Sequence, residues 1–112
     1  AKYLNKKSIF TERVEERMEL RRGFEIKDNS RVLIVEDIVS TGGSIFELIN
    51  VVKENNANVV GVTSIVHRSV KPIDFDCDYM PLLNHPVESW EEECMPDWLS
   101  KIPITVNGRS GK

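Results

Sequence analysis

One stretch, Val32 to Ser44, limits what this chain can fold into more than any other: VLIVEDIVSTGGS. The apolar run Val32–Val35 leads straight into two carboxylates, Glu36 and Asp37. Ile38 and Val39 follow, then a loop of small and hydroxyl residues, Ser40, Thr41, Gly42, Gly43 and Ser44. Beyond it Ile45, Leu48, Ile49, Val51 and Val52 recur at the spacing of an amphipathic helix. A short continuous apolar run predicts a strand of a parallel sheet covered on both faces. The order is therefore buried strand, acidic tip, flexible loop, helix N-terminus.

The rest of the chain supports an α/β domain. Val59–Val66 is a second β-branched run after the helix, and Asn55, Asn56 and Asn58 mark where the helix stops. Tyr79–Leu83 reads as a further strand, reached through a connection, Val70–Phe75, that contains Pro72. Strand, helix, strand in sequence predicts a parallel sheet flanked by helices. Ahead of the central stretch, Thr11–Arg22 is dense in charge, with Met18 and Leu20 alternating as in a half-buried hairpin arm. Its turn would fall at Glu15 and Glu16, without the Gly or Asn that such turns favour. Ser8–Thr11 reads as a short β-like run, Ala1–Lys7 as a last helical turn, and Lys27–Ser30 as a polar turn. Glu88–Glu93 and Asp97–Leu99 each fit a helical turn, Glu91–Glu93 suits a solvated acidic face, and Asn107–Lys112 reads as a frayed tail.

At 112 residues the chain has room for one domain. It opens AKYLNKKSIF without methionine, which predicts the C-terminal part of a longer protein and an incomplete domain. A net charge of -3 argues against a general nucleic-acid binder. No apolar run approaches the ~20 residues of a membrane helix. Cys77 and Cys94 stand apart and form neither a disulfide framework nor a ligand cluster, so a reducing cytoplasm is expected.

The chemistry of the central stretch follows from its parts. Ligands of open α/β sheets bind beyond the carboxyl ends of the strands. There, Ser40–Ser44 offers backbone N–H groups, hydroxyls and a helix N-terminus, a combination that favours a phosphate. Gly42 and Gly43 allow close backbone approach. No Gly-Lys-Ser/Thr closes the loop, so it is not the nucleotide-hydrolase loop. Two adjacent carboxylates suit the vicinal hydroxyls of a ribose, or a hydrated Mg²⁺. A strand end and a plain turn would explain either half alone; both halves in this order favour a sugar-phosphate site.

The segment resembles the phosphoribosyl-diphosphate (PRPP) motif of the type I phosphoribosyltransferases: apolar strand, acidic pair, two residues, then a Thr/Ser–Gly–Gly–Ser/Thr loop. IFTERVEERMELRRGFEI, Ile9–Ile26, is similar to the segment before that motif in orotate phosphoribosyltransferases. SIVHRS, Ser64–Ser69, resembles their strand ending in arginine, and SWEEEC followed by IPIT resembles their C-terminal end. The resemblance covers nearly the whole chain. It implies the type I, Rossmann-like fold, with residues 11–26 a β-hairpin mobile loop, 32–44 the PRPP motif and 86–112 a C-terminal extension. It also implies that N-terminal elements of the family, including the pyrophosphate-binding loop and part of the orotate pocket, are missing.

Carried over residue by residue, the resemblance implies that Glu36 and Asp37 hold the ribose hydroxyls and act as the catalytic pair. Ile38, Val39, Ser40, Thr41, Gly42, Gly43 and Ser44 complete the PRPP site, with Arg13 as a basic contact and Arg21 and Arg22 as lesser candidates. Ser40 and Arg68 would contact orotate, whose carboxylate suits an arginine fork. The implied reaction is Mg²⁺-dependent transfer of ribose 5-phosphate from PRPP to orotate by a homodimer, with no nucleic-acid or membrane partner. No side chain emerges as a direct metal ligand. A purine-type transferase and a PRPP-sensing regulatory protein remain the alternatives. The charged segment lacks the lysines common in the family, and His67 stands where an aspartate would precede Arg68. His67, His85, Trp90, Trp98 and the methionines read as structural.

Overall fold

A computed structural model describes residues 1–90 and 92–103. Two sheets organise them. The first is an antiparallel hairpin, β1 (Thr11–Val14) and β2 (Arg17–Leu20), paired from Thr11↔Leu20 to Val14↔Arg17. The second has the order β3-β4-β5, all parallel, with β3 Arg31–Val39, β4 Asn58–His67 and β5 Tyr79–Asn84. Helix α1 (Gly43–Glu54) joins β3 to β4, and a short α2 covers Asp97–Ser100.

The core lies between the sheet and α1. Ile34 and Val39 from β3, Val62 from β4, Ile45 and Ile49 from α1, and Phe75 form one buried cluster, with Val32, Val59, Ile73 and Tyr79 packed against it. The connection between β4 and β5 contains no helix. It crosses on the α1 side of the sheet, where the Phe75 ring meets Phe46 of α1 at 5.1 Å between centroids. Asn55 ends the helix by donating its side-chain amide to the Val51 carbonyl at 2.8 Å, and Asn56 adopts a left-handed φ of 51°.

Four expectations need correction. First, β3 does not stop at Val35 but continues through the acidic pair to Val39. Second, only one face of the sheet is covered among the described residues. Ile34 is 5% exposed, yet its neighbours Leu33 and Val35 are 50% and 66% exposed, as are many apolar residues of β4 and β5. The apolar run records that both faces need cover; this chain places α1 on one of them. Third, Ser8–Phe10 forms no strand. Phe10 packs edge-on against Phe24 across the base of the hairpin, at 4.9 Å between centroids, and Arg22 lies over its ring. Fourth, Asn58 begins β4 rather than ending the helix.

The hairpin turn falls where expected, at Glu15 and Glu16, both with positive φ (45° and 72°). That is the primed geometry that matches strand twist, here adopted without Gly or Asn. At the N-terminus the helical segment is a single short turn, Lys2–Leu4. Glu91 and residues 104–112 lie outside the described residues, and with them much of the C-terminal extension, the acidic face and the tail.

Candidate functional site

Strand β3 delivers the acidic pair to the carboxyl edge of the sheet, and the chain then breaks into the loop before α1. The break depends on Gly42, whose φ is +82°. A Cβ there would stand 3.0 Å from Cε1 of Phe75 and 3.2 Å from Cγ2 of Ile73. Only glycine combines that backbone conformation with that packing. The helix thus starts with its N-terminus seated on the core rather than raised above it.

The N-terminus of α1 carries no side-chain cap and no acidic residue in its first turn. Its first N–H groups are therefore available to an external acceptor. Thr41 Oγ1 accepts the Gly43 N–H only at a long 3.5 Å. A cavity of about 40 Å³ opens at this point, lined by Glu36, Ile38, Val39, Ser40, Thr41, Gly42, Gly43, Ser44 and Ile45. That is room for a few water-sized groups, on the scale of the oxygens of one phosphate. Open amide donors, hydroxyls and the positive helix end give it the chemistry to receive an anion.

The carboxylates divide. Glu36 is half-buried and lines the cavity, whereas Asp37 is exposed and does not. Asp37 Oδ1 accepts the N–H of Ile38 at 2.7 Å. Burial pushes the Glu36 carboxyl up from its ordinary value, and hydrogen bonding to and repulsion by Asp37 push it the same way. A cation or a pair of hydroxyl donors would relieve that repulsion. No cluster of three or more His, Cys, Asp or Glu side chains suited to a metal occurs among the described residues. The adjacent, mutually repelling carboxylates of Glu36 and Asp37 are the groups that would hold a divalent ion here.

Arg68 follows β4 directly. Its N–H donates to the Val39 carbonyl at 2.8 Å, which places its backbone beside the start of the loop. The Arg68 side chain is exposed and makes no ion pair among the described residues. Ser40 and Arg68 are thus neighbours across the edge of the sheet. Arg13 is not brought to the cavity. Its Nη2 meets Glu47 Oε1 of α1 at 3.1 Å, and its Nη1 donates to the Glu16 carbonyl at 2.6 Å. Arg22 pairs with Glu12.

Sequence reasoning missed Glu47 as the partner of Arg13, and Ile73 and Phe75 as the floor beneath Gly42. The apolar spacing of Ile73 and Phe75 after Pro72 was the available signal for the floor; nothing in the helix pattern marks Glu47. His67 has a structural role, since its Nδ1 lies 3.1 Å from the Tyr79 hydroxyl, which in turn lies 2.8 Å from buried Ser64 Oγ. Trp90 and Trp98 stack edge-on against each other at 6.1 Å between centroids.

A three-stranded parallel sheet, a crossover helix and a cavity at their junction define an α/β domain with a candidate anion site at the carboxyl edge. The comparison with known families narrows this: residues 2–96 match the phosphoribosyl transferase domain, and the chain belongs to that family. It is 44% identical over 108 residues to an orotate phosphoribosyltransferase of Thermoanaerobacter sp. (strain X514), covering 96% of this chain and 57% of that protein. It is 43% identical over 112 residues to the orotate phosphoribosyltransferase of Caldicellulosiruptor bescii, covering 100% of this chain and 59% of that protein. With that of Thermotoga maritima it shares 41% identity over 111 residues, covering 99% and 59%. The chain thus spans less than two thirds of the length of the curated relatives it matches.

Proposed function

We propose that these 112 residues are the PRPP-binding part of an orotate phosphoribosyltransferase. The reaction is transfer of ribose 5-phosphate from PRPP to orotate, giving orotidine 5′-monophosphate and pyrophosphate on the route to UMP. The observation that carries this reading is the cavity lined by Glu36 and Ser40–Ser44, in a chain whose similarity to proteins of that name runs over 96% of its length or more.

Each residue then has a task. Backbone N–H groups and hydroxyls of Ser40–Ser44 receive the 5′-phosphate, and Glu36 and Asp37 accept hydrogen bonds from the ribose hydroxyls. Orientation by these contacts lowers the barrier by holding the anomeric carbon in line with the incoming ring nitrogen. That carbon becomes cation-like as pyrophosphate leaves, and the nearby carboxylates favour the developing positive charge. Arg68 and Ser40 hold the orotate carboxylate. Arg13 is the basic contact for pyrophosphate when the hairpin closes over the site. Glu36 and Asp37 are the residues that would hold a Mg²⁺, which would supply charge neutralisation for the diphosphate. A homodimer in the cytoplasm is part of the same reading.

The test joins these residues to the unmatched part of the Thermotoga maritima enzyme and assays orotate, hypoxanthine, guanine and adenine with PRPP and Mg²⁺. Turnover of orotate alone is expected, and turnover of a purine instead would overturn the assignment. In the same protein Asp37→Asn and Arg68→Ala should each lower kcat/KM by about 100-fold or more. Near wild-type kinetics for both would remove these residues from the site. The 112 residues alone should show negligible turnover.

A further inference from the structure

The contact between Arg13 and Glu47 has a place in the fold that the proposed function leaves unused. Glu47 lies four residues beyond Gly43 on α1, about 6 Å along the helix axis at 1.5 Å per residue. The cavity is lined by the first residues of that same helix, Gly43, Ser44 and Ile45. The hairpin is therefore docked roughly one helical turn from the anion site; β2 packs against α1, and Arg13 of β1 adds a side-chain contact to Glu47.

The Arg13–Glu47 contact is weakly made. An arginine fork can engage a carboxylate or a phosphate through two parallel bonds. Here only Nη2 meets Glu47, while Nη1 is spent on the backbone carbonyl of Glu16. The pair is exposed on both sides, at 46% and 37% of the two side chains. Pairs of that kind shift an equilibrium by about five-fold or less. Glu47 Oε2 is shut away from solvent without a hydrogen-bond partner. A carboxylate with one oxygen bonded and the other stranded is a poor resting place for the arginine.

We propose that Glu47 is a parking counter-charge. It holds Arg13, and with it the hairpin, on α1 while the anion site is empty, and it gives Arg13 up to a phosphate-bearing ligand bound at the neighbouring helix N-terminus. This rests on the proposed function for the identity of the ligand but not for the existence of the latch. Glu47 is a positioning residue: it acts on the ligand only by competing for Arg13.

Two measurements on the 112-residue chain test it. Without ligand, amide exchange of residues 11–20 is compared in the wild type, Glu47→Gln, Arg13→Gln and the double variant, with far-UV circular dichroism as the check on folding. Each single variant should speed exchange in the hairpin by about three- to five-fold, and the double variant should add nothing further. Unchanged exchange, or effects that multiply in the double variant, would overturn the latch. With inorganic diphosphate as probe, Glu47→Gln should bind several-fold more tightly than wild type and Arg13→Gln more weakly. Equal affinity of Glu47→Gln and wild type would overturn the competition. A wild-type chain that binds no diphosphate, with the ligand-free coupling intact, would count against the site reading and the exchange of partners while upholding the latch.

Discussion

Glu36 and Gly42 show how two residues set the properties of the site. The Glu36 carboxyl is raised above its ordinary 4.5, first by burial and then by Asp37. A raised acid binds its proton more tightly in the folded chain than in the unfolded one. Folding is thus favoured while Glu36 is protonated, and stability falls as pH climbs from 4.5 through the raised value. Glu36→Gln removes this dependence, so thermal melts taken across that window should decline less steeply for the variant; identical slopes would contradict the assignment. Ligand binding runs the other way. On the proposed function, ribose hydroxyls and cations bind the ionised pair, so affinity for either should rise as Glu36 loses its proton. Gly42 acts through shape. Its positive φ and the 3.0 Å approach to Phe75 predict that Gly42→Ala destabilises the fold by about 1–3 kcal/mol in urea unfolding. At Gly43 the nearest atom to an added Cβ is Thr41 Oγ1 at 3.7 Å, and alanine there should be close to neutral. The doubled glycine in the sequence hides this inequality, because only the packing beneath the loop separates the two.

Among the elements, the β3–loop–α1 unit was the most legible, since its apolar run, acidic pair and small residues all point to one local structure. The hairpin was less so. Its arms alternate as a hairpin should, but the turn residues Glu15 and Glu16 give no local cue, and both sit in the left-handed region. The cross-strand pairs and the stack of Phe10 on Phe24 impose the turn from outside it. Non-glycine residues in that region cost roughly 1–2 kcal/mol each. Replacing Glu15 and Glu16 with Asn and Gly should recover about 1 kcal/mol and slow amide exchange in β1 and β2. The Glu16 carbonyl that accepts from Arg13 survives the change. Faster exchange would mean that the turn is not of the primed kind. The side on which the hairpin docks was not legible, because it depends on a contact between residues 34 positions apart.

For the molecule as a whole, the decisive fact is exposure. Its accessible surface is 9577 Å², against about 6300 Å² for a compact protein of its 12.8 kDa. Large apolar residues of the sheet contribute to it: Leu33, Val35, Ile65, Met80 and Leu82 are all at least half exposed. The 112 residues by themselves should therefore bind the dye ANS and associate as concentration rises. Met80→Lys with Leu82→Lys should weaken both, and a dye-silent monomer before mutation would contradict the exposure. The continuous apolar runs announced that both faces of the sheet need cover, but not how much cover these residues themselves supply. The carboxyl edge of that sheet carries main-chain bonds on past the strand ends. There Arg68 donates to Val39, His85 to His67, and Val87 to the carbonyl of Arg68, at 2.8, 2.8 and 2.9 Å. These rungs make a ruler. Ser40 and Arg68 are carried on neighbouring chain segments, which such bonding holds about 4.8 Å apart. A ligand that touches both meets two side chains whose attachment points are spaced by main chain. Replacing side chains along the edge can alter what is grasped there, but the spacing of the two segments that carry them is set by the backbone.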